Sequence, residues 1–233
     1  MRILLTRAKA DAERTATKLA ALEHQAIISP VLEVLATSVA LPSGSFDAII
    51  ATSAHAFTTG ARSLANIPLY AVGERAREAA ERAAWSAPIH IADNAETLIA
   101  LLRSDLRRGQ HVLYLAGRDR KPDIEAAAQA IGLDLDFIET YAAREILSLR
   151  DEAERALRDG ELDAVLHYSR RSAKLFIAVM KRAELWEEAA RLRHYALSDD
   201  VAEPLAAHGF RTFVAEEPSE DHLVALLREA APD

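Results

Sequence analysis

The sequence predicts an α/β protein built as two similar doubly wound, parallel-sheet lobes. Three observations carry this. Short apolar runs alternate with helical patterns along the whole chain. Several of these runs stop at a Ser, Thr, Gly or Arg just before a helical pattern opens. The second half also echoes the first, since Phe46-Asp47-Ala48-Ile49-Ile50-Ala51-Thr52-Ser53 returns as Leu162-Asp163-Ala164-Val165-Leu166-His167-Tyr168-Ser169, about half the chain later. A strand that ends in a hydroxyl residue at a helix start leaves backbone N–H groups pointing into open space, a ready site for anionic oxygens. Two such ends suggest two lobes that share a ligand.

Composition bounds the rest. The 233 residues suffice for one large domain or two ordinary ones, and 50% hydrophobic with 27% charged residues is globular. Cysteine is absent, which excludes a disulfide framework, a thiolate metal site and a thiol nucleophile. The opening Met1-Arg2-Ile3-Leu4-Leu5-Thr6-Arg7 is too short in apolar residues for a signal peptide, and no later run approaches a membrane span. A cytoplasmic protein without a membrane partner is expected. A formal net charge of −8 speaks against nucleic acid as partner, yet an acidic body can still hold a cleft for an anionic small molecule.

Taken in order, Arg2 to Leu5 reads as a strand ending at Thr6-Arg7, with an Ala-rich helix from Asp11 to Leu22. Ala26 to Ser29 is a strand broken by Pro30, and Val31 to Leu35 continues extended. Leu41-Pro42-Ser43-Gly44-Ser45 is a boundary signal before the Asp47 strand and a helix from Ala56 to Arg62. Leu69 to Val72 ends at Gly73 ahead of a helix from Arg75 to Ala84. After the short strand Ile89 to Ile91, Asp93 with Glu96 makes a capping-box signature for a helix to Arg103. His111 to Leu115 runs into Ala116-Gly117-Arg118-Asp119-Arg120-Lys121, and Pro122 suits the first turn of a helix to Ala130. Leu133 to Tyr141 is extended, Ala142 to Leu149 a connector, and Asp151 to Arg158 a helix. The Asp163 strand and its helix to Lys181 follow, then a helical piece at Leu185 to Leu192 and the strand Tyr195 to Leu197. Ser198-Asp199-Asp200 opens a helix to Ala207, Thr212 to Ala215 is the last strand, and Ser219 caps a final helix to Glu229.

The repeat extends beyond one strand. Tyr70-Ala71-Val72-Gly73 matches Tyr195-Ala196-Leu197-Ser198, and Ile3-Leu4-Leu5-Thr6-Arg7 matches the stretch from Val112 to Arg118. The chain therefore runs as a two-strand unit, a three-strand unit, and both again. Each pairing gives a five-stranded doubly wound sheet with its ligand site beyond the carboxyl ends of the strands. Either neighbouring pairing supplies five strands, so the cut between lobes stays open at this point.

Motifs for other chemistries are missing. There is no G-x-G-x-x-G, no G-x-x-x-x-G-K-[ST] and no G-x-S-x-G, and the eight His are scattered without ligand spacing. No cofactor and no metal is implied. Thr52-Ser53 and Tyr168-Ser169 read equally well as plain helix caps; their duplication at equivalent strand ends favours a ligand. Arg7, Arg118, Arg120, Lys121, Arg170 and Arg171 each read singly as solvated charges, but all follow strands. Acidic Asp199-Asp200 reads as cap and dipole chemistry before cation binding. His167 reads as a satisfied strand-end residue, Trp85 and Trp186 as packing groups. Tyr141 is either a packed linker ring or a phenol donor facing the ligand.

Ile3-Leu4-Leu5-Thr6-Arg7, Ile49-Ile50-Ala51-Thr52-Ser53-Ala54, Tyr70-Ala71-Val72-Gly73, Glu139-Thr140-Tyr141, Tyr168-Ser169 and Tyr195-Ala196-Leu197-Ser198, in this order and spacing, carry a resemblance. Over nearly its whole length the chain resembles the uroporphyrinogen-III synthase family. The resemblance implies lobes of residues 1–36 plus 147–233 and of residues 37–146, joined by a two-stranded β-ladder at about 30–37 and 138–146, with the active site in the cleft between them. It implies a monomer that needs no cofactor and cyclises the linear tetrapyrrole hydroxymethylbilane, losing water and inverting the last pyrrole ring. Departure of the hydroxyl leaves an electron-deficient azafulvene. The terminal ring attacks through its substituted carbon, and the spiro intermediate fragments and recloses. Because the pyrroles supply the electron push, the protein has mainly to position the two ends and assist departure of water. The substrate's acetate and propionate arms would sit on helix N-termini, each worth about 0.3–1 kcal/mol, and on bidentate Arg side chains. Carried over residue by residue, Tyr141 is the expected proton donor. Thr52, Ser53, Gly73, Ser169 and Ser198 match cleft-lining positions, with Arg7, Arg118 and Tyr168 as further substrate contacts. The chain departs from the family at Glu74-Arg75-Ala76, where relatives carry a hydroxyl, and at the two aspartates after Ser198. A regulatory ligand-binding module of the same fold, without turnover, is the competing reading. A nucleotide-sugar transferase with two similar lobes is disfavoured by the missing phosphate motifs.

Overall fold

The structure, a computed structural model, describes residues 1–42, 44–57, 60–120 and 122–229, so Lys121 lies outside the described residues. In chain order the strands and helices are β1 (Arg2–Leu5), α1 (Lys9–Ala20), β2 (Gln25–Ile28), β3 (Leu32–Ala36), β4 (Ala48–Ala51) and β5 (Leu69–Val72). They continue with α2 (Glu74–Arg82), β6 (Ile89–Ala92), α3 (Ala95–Asp105), β7 (His111–Gly117), α4 (Asp123–Ile131) and β8 (Asp134–Glu145). The last part holds α5 (Asp151–Arg158), β9 (Ala164–His167), α6 (Arg170–Arg182), α7 (Trp186–Arg191), β10 (Arg193–Ala196), α8 (Asp199–Ala206), β11 (Thr212–Val214) and α9 (Glu220–Glu229).

The strands form two sheets. Sheet A has the order β11-β10-β9-β1-β2, and every pair in it is parallel. Sheet B has the order β3-β8-β7-β4-β5-β6, parallel from β8 through β6. The chain is thus α/β with two doubly wound sheets, and the repeat read in the sequence is visible strand by strand. β9 and β4 hold the Asp163 and Asp47 stretches, β10 and β5 the two Tyr strands, and β1 and β7 are the equivalent strands beside β9 and β4. Counted along the chain, sheet A reads 2-1-3-4-5, while sheet B reaches the same spatial order with its three-strand unit first. Sheet B is a circular permutation of sheet A.

Five expectations shift. Of the helix expected over Ala56 to Arg62, residues 58 and 59 lie outside the described residues, and the flanking residues form 3₁₀ turns instead, Ala54–Ala56 and Ala61–Leu64. Gly60 in this stretch is a poor helix former. The connector expected from Ala142 is strand as far as Glu145, because β3 lies beside β8 and satisfies its backbone. That adds a sixth strand to sheet B where five are expected. The cap of α3 sits one residue on, as a capping box between Asn94 and Thr97. Helix α1 opens at Lys9, two residues before Asp11.

The residues divide into two compact units, Met1–Glu33 with Arg144–Asp233, and Val34–Ala143. Each has a core on both faces of its sheet. In the first, Ile3, Leu5, Leu166 and Tyr195 pack with Leu19 of α1 and Leu223 of α9, while Leu4 and Val165 pack with Phe176, Val179 and Met180 of α6 and Leu205 of α8. In the second, Ile50, Tyr70 and Tyr114 pack with Leu98 and Leu102 of α3, and Ile49, Leu69, Leu113 and Leu115 with Ala76 and Ala80 of α2 and with Trp85. Successive residues of β1 and β4 are buried on both faces, which is why these strands read as continuous apolar runs and not as alternation. Each fully buried Leu or Ile is worth about 1.5–3 kcal/mol.

Candidate active site

In the second unit, the turn after β4 carries Thr52 and Ser53. The backbone of Ser53 is extended and its hydroxyl accepts from the His55 N–H at 3.2 Å. One 3₁₀ turn stands directly behind it, and its His55 and Ala56 N–H groups bond back to Ser53, so this end has little of the aligned dipole of a long helix. Thr52 meets a residue that the sequence reading missed: its hydroxyl lies 2.9 Å from that of Tyr114 on β7. Burial pushes the Tyr114 phenol up, which the Thr52 hydrogen bond partly offsets. A tyrosine inside the apolar run Val112-Leu113-Tyr114-Leu115 was the available signal, since a buried phenol needs a partner. Gly73, between β5 and α2, has φ +80°, a backbone shape that side chains rarely adopt. Its glycine is thereby explained by conformation before any role toward a ligand.

Tyr141 is turned by a β-bulge. Along β7 and β8 the register runs Ala116↔Glu139 and then Gly117↔Tyr141, leaving Thr140 as the extra residue, its hydroxyl donating to the Ala116 carbonyl at 3.3 Å. Ile138 and Tyr141 are three positions apart and would face opposite sides of a regular strand. The bulge brings both onto the face that holds Leu113 and Leu115. The ring is half-buried, 5.8 Å from that of His55, and its hydroxyl has no hydrogen-bond partner among the described residues. His55 is a second neighbour that the sequence reading passed over.

Arg118 and Arg120 of this unit are already paired. The Arg118 side chain is exposed and 3.1 Å from Glu139, while its backbone N–H donates to the Tyr141 carbonyl at 2.9 Å. Arg120 is 2.7 Å from Glu125 and 3.4 Å from Glu139, and its guanidinium lies over the Phe137 ring at 4.3 Å.

In the first unit, Arg7 follows β1 and stacks over the Tyr168 ring, 3.8 Å from its centre. It donates to the Glu220 carboxylate at 2.7 Å and to the Thr15 hydroxyl at 3.1 Å. Thr15 in turn donates to Glu220 at 2.6 Å, and Tyr168 reaches Thr15 at 3.5 Å. Burial pushes the Tyr168 phenol up to about 12, so it stays a neutral donor. Burial would also raise Glu220, but its bonds to Thr15 and Lys18 and the charge of Arg7 prevail and hold it below the usual carboxylate range. Neither Thr15 nor Glu220 carried a sequence signal, because they sit far apart in the chain and are joined only by the docking of α9 on α1.

Ser169 caps the 13-residue α6, accepting from the Ser172 N–H at 3.1 Å. Ser198 stands at the start of α8 with no side-chain bond to the backbone. Asp200 beside it is 3.1 Å from Arg170, which also meets Glu203 at 2.6 Å. Arg171 lies 3.6 Å from Glu145. The structure thus brings Arg7 together with Tyr168, and sets Arg118 beside Tyr141 through the backbone. It joins Thr52 to Tyr114 and leaves Ser53, Gly73, Ser169 and Ser198 at separate strand ends. His167 departs from its expected satisfied state: its Nε2 is 3.1 Å from Nδ1 of His194, while its own Nδ1 is buried without a partner among the described residues. Trp85 and Trp186 pack as expected, against Phe57 and Phe210. Among the described residues, no cluster of three or more His, Cys, Asp or Glu could hold a metal ion, and no helix is long and apolar enough to cross a membrane.

Comparison with known structures agrees with this architecture. A uroporphyrinogen-III synthetase from Helicobacter pylori superposes with a TM-score of 0.66 at 18% identity, over 99% of this chain and 100% of that one. A mutant uroporphyrinogen III synthase from Thermus thermophilus superposes with a TM-score of 0.54 at 18% identity, over 99% and 98% of the two chains. Likeness at this identity concerns the fold. No curated protein matches in sequence. The family model described as uroporphyrinogen-III synthase HemD, however, matches residues 13–225, nearly the full length. The chain therefore belongs to the uroporphyrinogen-III synthase family.

Proposed function

We propose that this protein is a uroporphyrinogen-III synthase, a cytoplasmic lyase that cyclises hydroxymethylbilane with loss of water and inversion of the last ring. The observation that carries the reading is Tyr141: in a chain whose family match spans residues 13–225, the bulge in β8 turns a phenol with no partner among the described residues to the end of a strand. Its role is to give a proton to the departing hydroxyl. The other strand-end groups act by position. Thr52, Ser53 and Ser169 offer hydroxyl and N–H donors to carboxylate arms, and Gly73 and Ser198 leave backbone accessible at their turns. Arg7, Tyr168 and Arg118 complete the contacts. The substrate is a small-molecule polycarboxylate, and the reaction is proposed to run in a monomer without cofactor.

A second reading has one observation in its favour. Arg7, Arg118, Arg120 and Arg170 each already face a carboxylate of the protein, which leaves less positive charge for a polyanion and suits a ligand-binding module without turnover. One experiment separates the two. Purified protein is incubated with freshly generated hydroxymethylbilane and the uroporphyrin isomers are resolved after oxidation. Isomer III is expected; isomer I alone, the product of spontaneous closure, would overturn the synthase reading.

A further inference from the structure

We propose that Gly117 is a positioning residue for Tyr141, present so that the phenol ring can lie against the backbone of β7. This deepens the reading above and rests on it for the role of the phenol. The case is spatial. No left-handed backbone angle calls for glycine at this position, in contrast to Gly73. What calls for it is the neighbour: a Cβ built on Gly117 would stand 2.6 Å from Cε2, 2.7 Å from Cζ and 2.8 Å from the hydroxyl oxygen of Tyr141. All three are atoms at or beside the hydroxyl end of the ring. Non-bonded carbons rest at about 3.5–4.0 Å, so a methyl group here must move that end by about 1 Å.

The contact is also fixed by register. Gly117 pairs with Tyr141 directly after the bulge, so the device that turns the ring to this face is the one that sets it over this residue. The ring is held further by Ile138, Leu113 and Leu115, whose face it shares. The Arg118 N–H bonded to the Tyr141 carbonyl ties the backbone of the pair at the same level. With these supports the ring has no slack toward β7 except the space that glycine leaves. A displacement of about 1 Å at a reacting group can cost about a hundredfold in rate.

The test is a pair of mutant cycles with Gly117→Ala. In the first, thermal unfolding is followed for the wild type, Gly117→Ala, Tyr141→Ala and the double variant. Gly117→Ala is expected to lower Tm in the presence of the Tyr141 ring and to have little effect once Tyr141 is replaced by Ala. Equal Tm losses in both backgrounds would overturn the proposal, because the methyl would then clash with something other than the ring. In the second, steady-state kinetics with hydroxymethylbilane compare Gly117→Ala in the wild-type and Tyr141→Phe backgrounds. We expect kcat to fall about tenfold or more with KM within about twofold when the hydroxyl is present, and no further fall in Tyr141→Phe. A merely structural glycine would lower both backgrounds alike, and that result would overturn the proposal. Failure of the synthase reading itself would show as isomer I alone from the wild type; the unfolding cycle still decides the Gly117–Tyr141 contact in that case.

Discussion

Two residues of the first unit set how the protein responds to acid. His194 donates from Nε2 to the Ala189 carbonyl at 3.0 Å, which leaves its Nδ1 as acceptor for the Nε2–H of His167 at 3.1 Å. Both rings are fully buried and stacked on each other, with Phe176 edge-on to both and Phe210 stacked on His194. A proton added to either would be buried charge, so burial holds His194 down at about 4 and His167 well below the ordinary value, with His194 beside it as a lesser cause. The unfolded chain binds these protons from about pH 6.5 downward and the folded chain does not. Stability is therefore full above pH 6.5 and falls as pH drops toward 4, by about 3 kcal/mol for His194 alone. The half-buried His111 shifts the opposite way through Asp136 and adds little near the surface. Urea unfolding at pH 7.0 and 5.0 checks this, and an unchanged midpoint would remove the pair from the account. At the same scale, Tyr141→Phe is expected to slow turnover about a hundredfold, in the usual range for a lost proton donor, with Tm unchanged. Full activity in that variant would take the phenol out of the mechanism.

At the scale of elements, the first turn of α9 is tied down by charge. Glu220 receives Arg7, Thr15 and Lys18, the last at 3.0 Å, while Leu223 and Leu227 bury the helix against α1 and sheet A. Removing the carboxylate leaves a half-buried guanidinium on the Tyr168 ring without its nearer counter-charge, with Asp11 at 3.8 Å remaining. Glu220→Ala is expected to cost about 1–3 kcal/mol, and hydrogen exchange is expected to show it as faster opening of α9 and of the turn after β1. Uniform change across the protein would mean that the network is not local. The bulge in β8 works on the same scale: one extra residue, Thr140, reverses which side of the strand Tyr141 takes.

For the whole molecule, the two units keep separate hydrophobic clusters, each drawn from one unit's residues. Leu113 is fully buried in the middle of sheet B. Leu113→Ala is expected to cost about 2–5 kcal/mol, seen as lost amide protection in β4, β5 and β7 with β1, β9 and β10 unchanged. Loss of protection in both sheets together would show a single cooperative core. The permuted order of the sheets accounts for the chain leaving the first unit after β2 and returning in time for β9. Each sheet then still has its two-strand and three-strand pieces side by side.

The sequence alone determined the class, the strands and the duplication. Apolar runs and turn residues are local signals, and a buried central strand such as Ile3-Leu4-Leu5 needs no partner to be recognised. Thr52, Ser53, Ser169 and Ser198 were legible for the same reason, as residues next to a strand end. Only tertiary structure decided what their neighbours are. The stretch after Ser53 resembles a helix start in sequence yet forms single 3₁₀ turns, and the arginines that read as free cations are matched by Glu139, Glu125, Glu220 and Asp200. The clearance over Gly117 and the stacking of His167 on His194 join positions on different strands, where no local spacing rule applies. Periodicity reports which face a residue takes; it carries no information on which distant side chain will be packed against it.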